Sequence, residues 1–294
     1  MRQENKMDTA LQLRIAYDLN QSVSSKEAIG LLSQSKLVNK LTSEFVPNNT
    51  YSVWRLLALS EIPFANNLDY TKKVIDYVTK NMGTAYGFSL FGSIEDLLPC
   101  YNSMLIEAYS KLGHSNHILV KNGVEWILKY QPINRTSKSD WNQRGTKKYG
   151  GCFNDIPCYI GVAKSVKALQ SYIKHSNNPK NLRITEFIEE GTEYILSHNL
   201  YMRQRDNKPI FKDILSLSFP YNYKLNILEL LEIVKEANKL KSSNCKSAKE
   251  YLNSRKLEDG FWKIDYNYKA KGYISFDNKR GNSEWLTHLI KQII

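Results

Sequence analysis

Cysteine is scarce in this chain: Cys100, Cys152, Cys158 and Cys245 are the only four in 294 residues. Four are too few to staple a chain of this length, so no disulfide framework is expected. No apolar run approaches the roughly 20 residues that a membrane-spanning helix needs, so no transmembrane segment is expected. No block of like charge is long enough to read as a nucleic-acid-binding arm. Residues 1–6 are polar and lead into no secretory apolar core, which makes cytoplasmic the expected location. Acids are under-represented, 29 against 41 Lys and Arg, for a formal charge of +12. The lysines are spread over every segment. That pattern reads as a solvated basic surface, open to an acidic partner or to peripheral contact with a membrane.

What the chain does have is a recurring stretch. Pro99-Cys100-Tyr101, Pro157-Cys158-Tyr159 and Pro220-Tyr221-Asn222-Tyr223 each lead into an apolar segment. Proline suits the first helical position, where its fixed φ helps and its missing N–H costs nothing. The prolines stand about sixty residues apart, the spacing of a repeat of helical hairpins. Apolar periodicity predicts helices over residues 9–20, then 24–45 with a break at 33–35, then a helix capped by Pro47-Asn48-Asn49-Thr50 and closed by Pro63, and a return helix over 69–82. Three hairpins follow: 99–112 with 115–130, 157–175 with 183–198, and 220–240 with 244–255. Gly113 stands where a C-cap glycine belongs. A last helix, 283–294, has no partner after it and would close against the N-terminal helices. The expectation is an all-α fold in one domain, residues 1–294, with N-terminal helices over 1–50 and repeat hairpins over 51–294. Long aromatic and basic loops, 137–155, 201–217 and 260–280, are expected to form ordered lids on one rim.

The stretch Tyr251-Leu252-Asn253-Ser254-Arg255-Lys256-Leu257-Glu258-Asp259-Gly260-Phe261-Trp262 has the outer-helix, Asp-Gly-x-Trp form of a QW motif. It resembles the prenyltransferase and squalene-oxidase repeat family. Tyr51-x-x-Trp54-x-Leu56-Leu57, Gly151-Cys152, Cys158-x-x-Gly161-Val162-x-Lys164 and Phe219-Pro220-x-x-Tyr223 extend the likeness to uncharacterised bacterial members of that superfamily. The resemblance implies an α/α toroid, a ring of helical hairpins around a cavity. Lys256 stands where a QW motif places Gln. Neither the Asp-x-Asp-Asp acid of class II terpene cyclases nor an Asp-Asp-x-x-Asp diphosphate motif occurs, and the zinc triad of protein prenyltransferases is not evident.

In such a ring the inner helices turn their N-terminal residues toward the cavity. Cys100, Tyr101, Tyr159, Tyr221 and Tyr223 would line it, with Trp141 and Trp262 contributing from the loops. Aromatic walls suit a lipid-like or isoprenoid chain and stabilise a carbocation, although the same rings also serve as packing between helices. Lys164 and Lys224, with Lys167, Arg144, Lys147 and Lys148, form either a basic mouth or a solvated surface. Asp155 and Cys158 are the catalytic candidates. Asp155 reads as a helix cap with lowered pKa or, buried among aromatics, as an acid. Cys158 would need a neighbouring base to act as a nucleophile. Cys152, Asp155 and Cys158 have a spacing open to zinc, but no histidine stands close in sequence to complete the set. No metal and no cofactor is expected.

The leading functional expectation is a terpene-cyclase-like enzyme acting on an isoprenoid or similar apolar chain. A toroid glycan hydrolase or lyase for an acidic sugar and a non-catalytic binding scaffold are the alternatives. Carboxylates paired across a groove would favour the second, a closed apolar tunnel the first.

Overall fold

The computed structural model describes residues 7–134, 138–141, 143, 148, 157–176 and 181–294. Short polar side chains start half of the α-helices among the described residues. Asp8, Ser24, Ser35, Asn48, Asn181 and Asn226 each accept a hydrogen bond from a backbone N–H in the first turn that follows. These caps satisfy donors that no helical carbonyl can reach.

Twelve α-helices result among the described residues: α1 (Thr9–Asp18), α2 (Ser25–Gln34), α3 (Lys36–Thr42), α4 (Asn49–Ser60), α5 (Asp69–Met82), α6 (Pro99–Lys111), α7 (Ile118–Tyr130), α8 (Tyr159–His175), α9 (Leu182–Ser197), α10 (Ile227–Glu236), α11 (Lys246–Ser254) and α12 (Glu284–Lys291). Strand among them is limited to a two-residue hairpin, Gly83–Thr84 with Gly87–Phe88. The fold is mainly helical, as expected. The break in the second predicted helix falls at Ser35, which ends α2 and caps α3. Gly113, at φ +83°, closes α6: its N–H reaches Ser110 O and the His114 N–H reaches Tyr109 O at 2.8 Å, a Schellman stop.

The three prolines are not equivalent. Pro99 opens α6 at its first turn, whereas α8 starts two residues after Pro157, at Tyr159. The helix expected from Pro220 instead begins at Ile227, because Asn226 supplies the side-chain cap that Pro220 cannot. Pro220 follows a cis peptide bond in the loop before it. The repeat is therefore approximate at its third copy.

Two kinds of helix alternate from α4 to α10. Helices α4, α6, α8 and α10 are buried on nearly every side, whereas α5, α7 and α9 bury one stripe each. In α5 that stripe is Thr71, Val74, Ile75, Val78 and Met82. A helix apolar all round lies between other elements, and one with a single apolar face lies outside them. Gly191 lets α9 approach α8, since a Cβ there would sit 2.3 Å from a Val166 methyl. The first and last helices meet through Asp18: Arg14 Nε, His288 Nε2 and Gln292 Nε2 each lie 2.8 Å from its Oδ2.

Candidate functional site

The starts of α6 and α8 bring some of the predicted residues together. Leu98 and Cys100 are buried there against Tyr101, Cys158, Ile160 and Tyr223. Tyr101 and Tyr223 stack at 5.9 Å between centroids. Trp54 of α4 joins them, 6.4 Å from Tyr101, 5.1 Å from Tyr268 and 6.4 Å from Tyr273. The last two rings come from the 260–280 loop, and the Tyr273 hydroxyl donates to Pro220 O at 2.7 Å. Trp54 is buried, whereas the four tyrosines keep part of their surface open. The result is a continuous aromatic patch, partly exposed, at the N-terminal ends of α6 and α8. Burial, helped by Cys158, pushes the Cys100 thiol up to about 12, so it stays protonated and is no nucleophile.

The other predicted residues lie elsewhere. Tyr159 is buried and donates its hydroxyl to Leu200 O, with His198 edge-on at 5.2 Å. Trp141 packs with Tyr86, Trp126 and Tyr130. Trp262 is a core residue: its indole N–H donates to Leu252 O at 2.7 Å and its backbone N–H to Thr287 Oγ1 at 3.0 Å. The Asp-Gly-Phe-Trp segment thereby fastens α11 to α12. Lys224 pairs with Asp213. Asp155, with Cys152, Arg144 and Lys147, lies outside the described residues.

Lys164 is not at an open mouth. It is 2% exposed, and its ammonium donates to Glu229 Oε1 at 2.7 Å, Glu229 Oε2 at 2.9 Å and Asn222 O at 2.8 Å. Burial pushes its pKa down, and Glu229 opposes that shift. Lys167 adds a 3.0 Å contact to Glu229 and a 3.3 Å contact to Glu107, and its ammonium lies 3.9 Å above the Tyr221 ring.

This buried pair is the inner edge of a charged network at the opposite helix ends. Lys111 bridges Glu107 at 2.6 Å and Glu61 at 2.8 Å, and Arg14 reaches Glu61 at 3.3 Å. Burial alone would raise the Glu107 carboxyl, but Lys111 and Lys167 override it and hold it at about 2. The network borders a cleft of about 410 Å³ with α1, α6, α8, α10 and α12 around it. None of the rings of the aromatic patch lines this cleft.

Sequence reading missed Glu61, Glu107, Glu229 and Glu232. A signal exists: Glu107 sits in Met104-Leu105-Ile106-Glu107-Ala108-Tyr109 and Glu229 in Ile227-Leu228-Glu229-Leu230-Leu231. A carboxylate inside an apolar helical run must find a cation, because burying it unpaired costs several kcal/mol. Each carboxylate is the one charged group in its run. Among the described residues no group of three or more His, Cys, Asp and Glu forms a metal cluster, and no helix is long and apolar enough to cross a membrane. No family model, curated protein or solved structure matches the chain.

Proposed function

We propose that the chain is an α/α toroid that binds an apolar, unsaturated ligand of the isoprenoid kind at the aromatic patch and acts on it as a terpene-cyclase-like enzyme. The observation that carries this reading is the contiguous set of Trp54, Tyr101, Tyr223, Tyr268 and Tyr273, drawn from α4, α6, the loop before α10 and the 260–280 loop. Such rings offer dispersion to an alkene chain and negative faces to a developing cation. The alternation of enclosed and one-faced helices supports a ring, with α12 returning to α1. Asp155 keeps its place as the acid candidate, three residues before Cys158 in sequence.

The glycan reading has less support. Glycoside hydrolysis asks for two carboxyl groups free to act on opposite sides of a sugar, and Glu61 and Glu107 are each held by two cations. The reading is tested by titrating farnesol into the protein, following tryptophan fluorescence, with Trp54→Phe used to assign the signal. Binding with quenching of Trp54, weakened about tenfold in Tyr101→Ala and Tyr223→Ala, is expected. Equal affinity in wild type and in the Tyr101→Ala/Tyr223→Ala double variant would remove the patch as the site.

A further inference from the structure

The polar cleft lies at the helix ends remote from the aromatic patch, and its electrostatics have a definite sign. Glu61 caps the C-terminus of α4, and Gln292 that of α12. Lys111, His175 and Glu236 are the last residues of α6, α8 and α10. All five line the cleft, as does Asp18, the last residue of α1, so six helix C-termini converge on it. Each carries a partial negative charge of about half an electron over its last turn.

The formal charges on the walls cancel in number, with Asp18, Glu61, Glu107, Glu232 and Glu236 facing Arg14, Lys111, Lys167, Lys174 and Lys235. They do not cancel in arrangement. Arg14 is taken by Asp18 and Glu61, Lys111 by Glu61 and Glu107, Lys167 by Glu107 and Glu229, and Lys174 by Glu236, whereas Lys235 donates to the neutral Gln292 Oε1 at 3.3 Å. Glu232 is the wall carboxyl that, among the described residues, has no cation within ion-pair distance. The buried Tyr221 hydroxyl faces it and makes no well-formed hydrogen bond of its own. A volume of about 410 Å³ is that of a small-molecule site.

We propose that this cleft is a second binding site, for a small organic cation whose ammonium or amidinium group pairs with Glu232. Convergent helix C-termini disfavour an anion there, and four of the five Lys and Arg side chains on the walls are committed to carboxylates. A cation would pair the wall carboxyl that, among the described residues, has no ion-pair partner. The site is independent of the aromatic patch and of any ligand bound there.

Proton linkage follows. Burial raises the Glu232 carboxyl, and Glu61 of α4 adds to the shift. Lys167 of α8, Tyr221 of the preceding loop and Lys111 of α6 oppose it, and Arg14 of α1 also faces the group. A bound cation favours the ionised form, so binding releases a proton and strengthens as pH rises through the Glu232 titration.

The test is calorimetric titration of the full chain with 1,4-diaminobutane, with 1,4-butanediol and succinate as neutral and anionic controls. Diaminobutane alone is expected to bind, at least about tenfold more weakly in Glu232→Gln and more weakly at pH 5 than at pH 8. In wild-type protein, repeating the titration in buffers of different ionisation enthalpy is expected to show proton release; this readout needs no variant to fold. Binding of butanediol or succinate as tight as that of the diamine overturns the proposal. So does unchanged affinity in Glu232→Gln, absence of proton release, or no diamine binding at all.

Discussion

Replacing Lys164 with Met tests the account of the buried network most directly. Methionine has nearly the volume of the lysine stem, so the change removes the charge and leaves little cavity. It strips Glu229, which is 0% exposed, of its 2.7 and 2.9 Å contacts and leaves the Asn222 carbonyl without its 2.8 Å donor. Breaking a buried ion pair from one side costs about 3–5 kcal/mol, because the remaining charge stays buried. Lys167 still reaches Glu229 at 3.0 Å, so the low end, about 3 kcal/mol, applies. With a urea m-value of about 3 kcal/mol/M, the unfolding midpoint should fall by about 1 M. Lys164→Met/Glu229→Leu, which removes both charges, should recover part of that loss. Urea unfolding followed by far-ultraviolet circular dichroism measures both variants. A single variant within about 1 kcal/mol of wild type, or a double variant as unstable as the two singles added, would refute the reasoning.

Further predictions concern caps and protons. Glu107 is held at about 2 against an ordinary 4.5. Its contribution, about 3 kcal/mol at 1.36 kcal/mol per pKa unit, is present above pH 4.5 and is lost as pH falls toward 2. Glu107→Gln should flatten that limb of the acid-unfolding curve; an unaltered limb would count against the assignment. Asp277 has the opposite sign. Burial raises its carboxyl to about 6 despite the backbone N–H groups of Leu286 and Trp285 that it accepts. Its stabilising share is present below pH 3.8 and is lost as pH rises through about 6, so Asp277→Asn should weaken the pH dependence of the melting temperature between those values. A melting curve with the same slope in both proteins would contradict this. At Gly113 a Cβ meets nothing nearer than Asn66 Nδ2 at 4.0 Å. Gly113→Ala should therefore cost only the left-handed backbone penalty, about 1–2 kcal/mol, in urea unfolding; a larger loss would show that the site is crowded.

Helix existence was written locally, and so it could be read from the chain. Asp8, Ser24, Asn48 and Gly113 act within one turn of their own position, and the period of Val74, Ile75 and Val78 marks a buried stripe without reference to any distant residue. The same local logic separates Pro99 from Pro220: Asn226 caps α10, and a proline six residues before that cap has no part in it. Repeat similarity alone does not carry that distinction, because it reports ancestry of pattern and not which side chain supplies the cap.

Partnership was decided only in three dimensions. Lys164 and Lys167 look like surface lysines in sequence, and they become buried cations because α10 places Glu229 beside them. Trp54, Tyr101, Tyr223 and Tyr268 are scattered along the chain and meet only because α4, α6 and two loops end at one place. Composition and periodicity settle which segments coil and which of their faces avoid water, since both depend on neighbours within a turn. Which charge answers which, and which rings share a surface, depends on helix ends brought together across the whole chain, and so belongs to the tertiary structure.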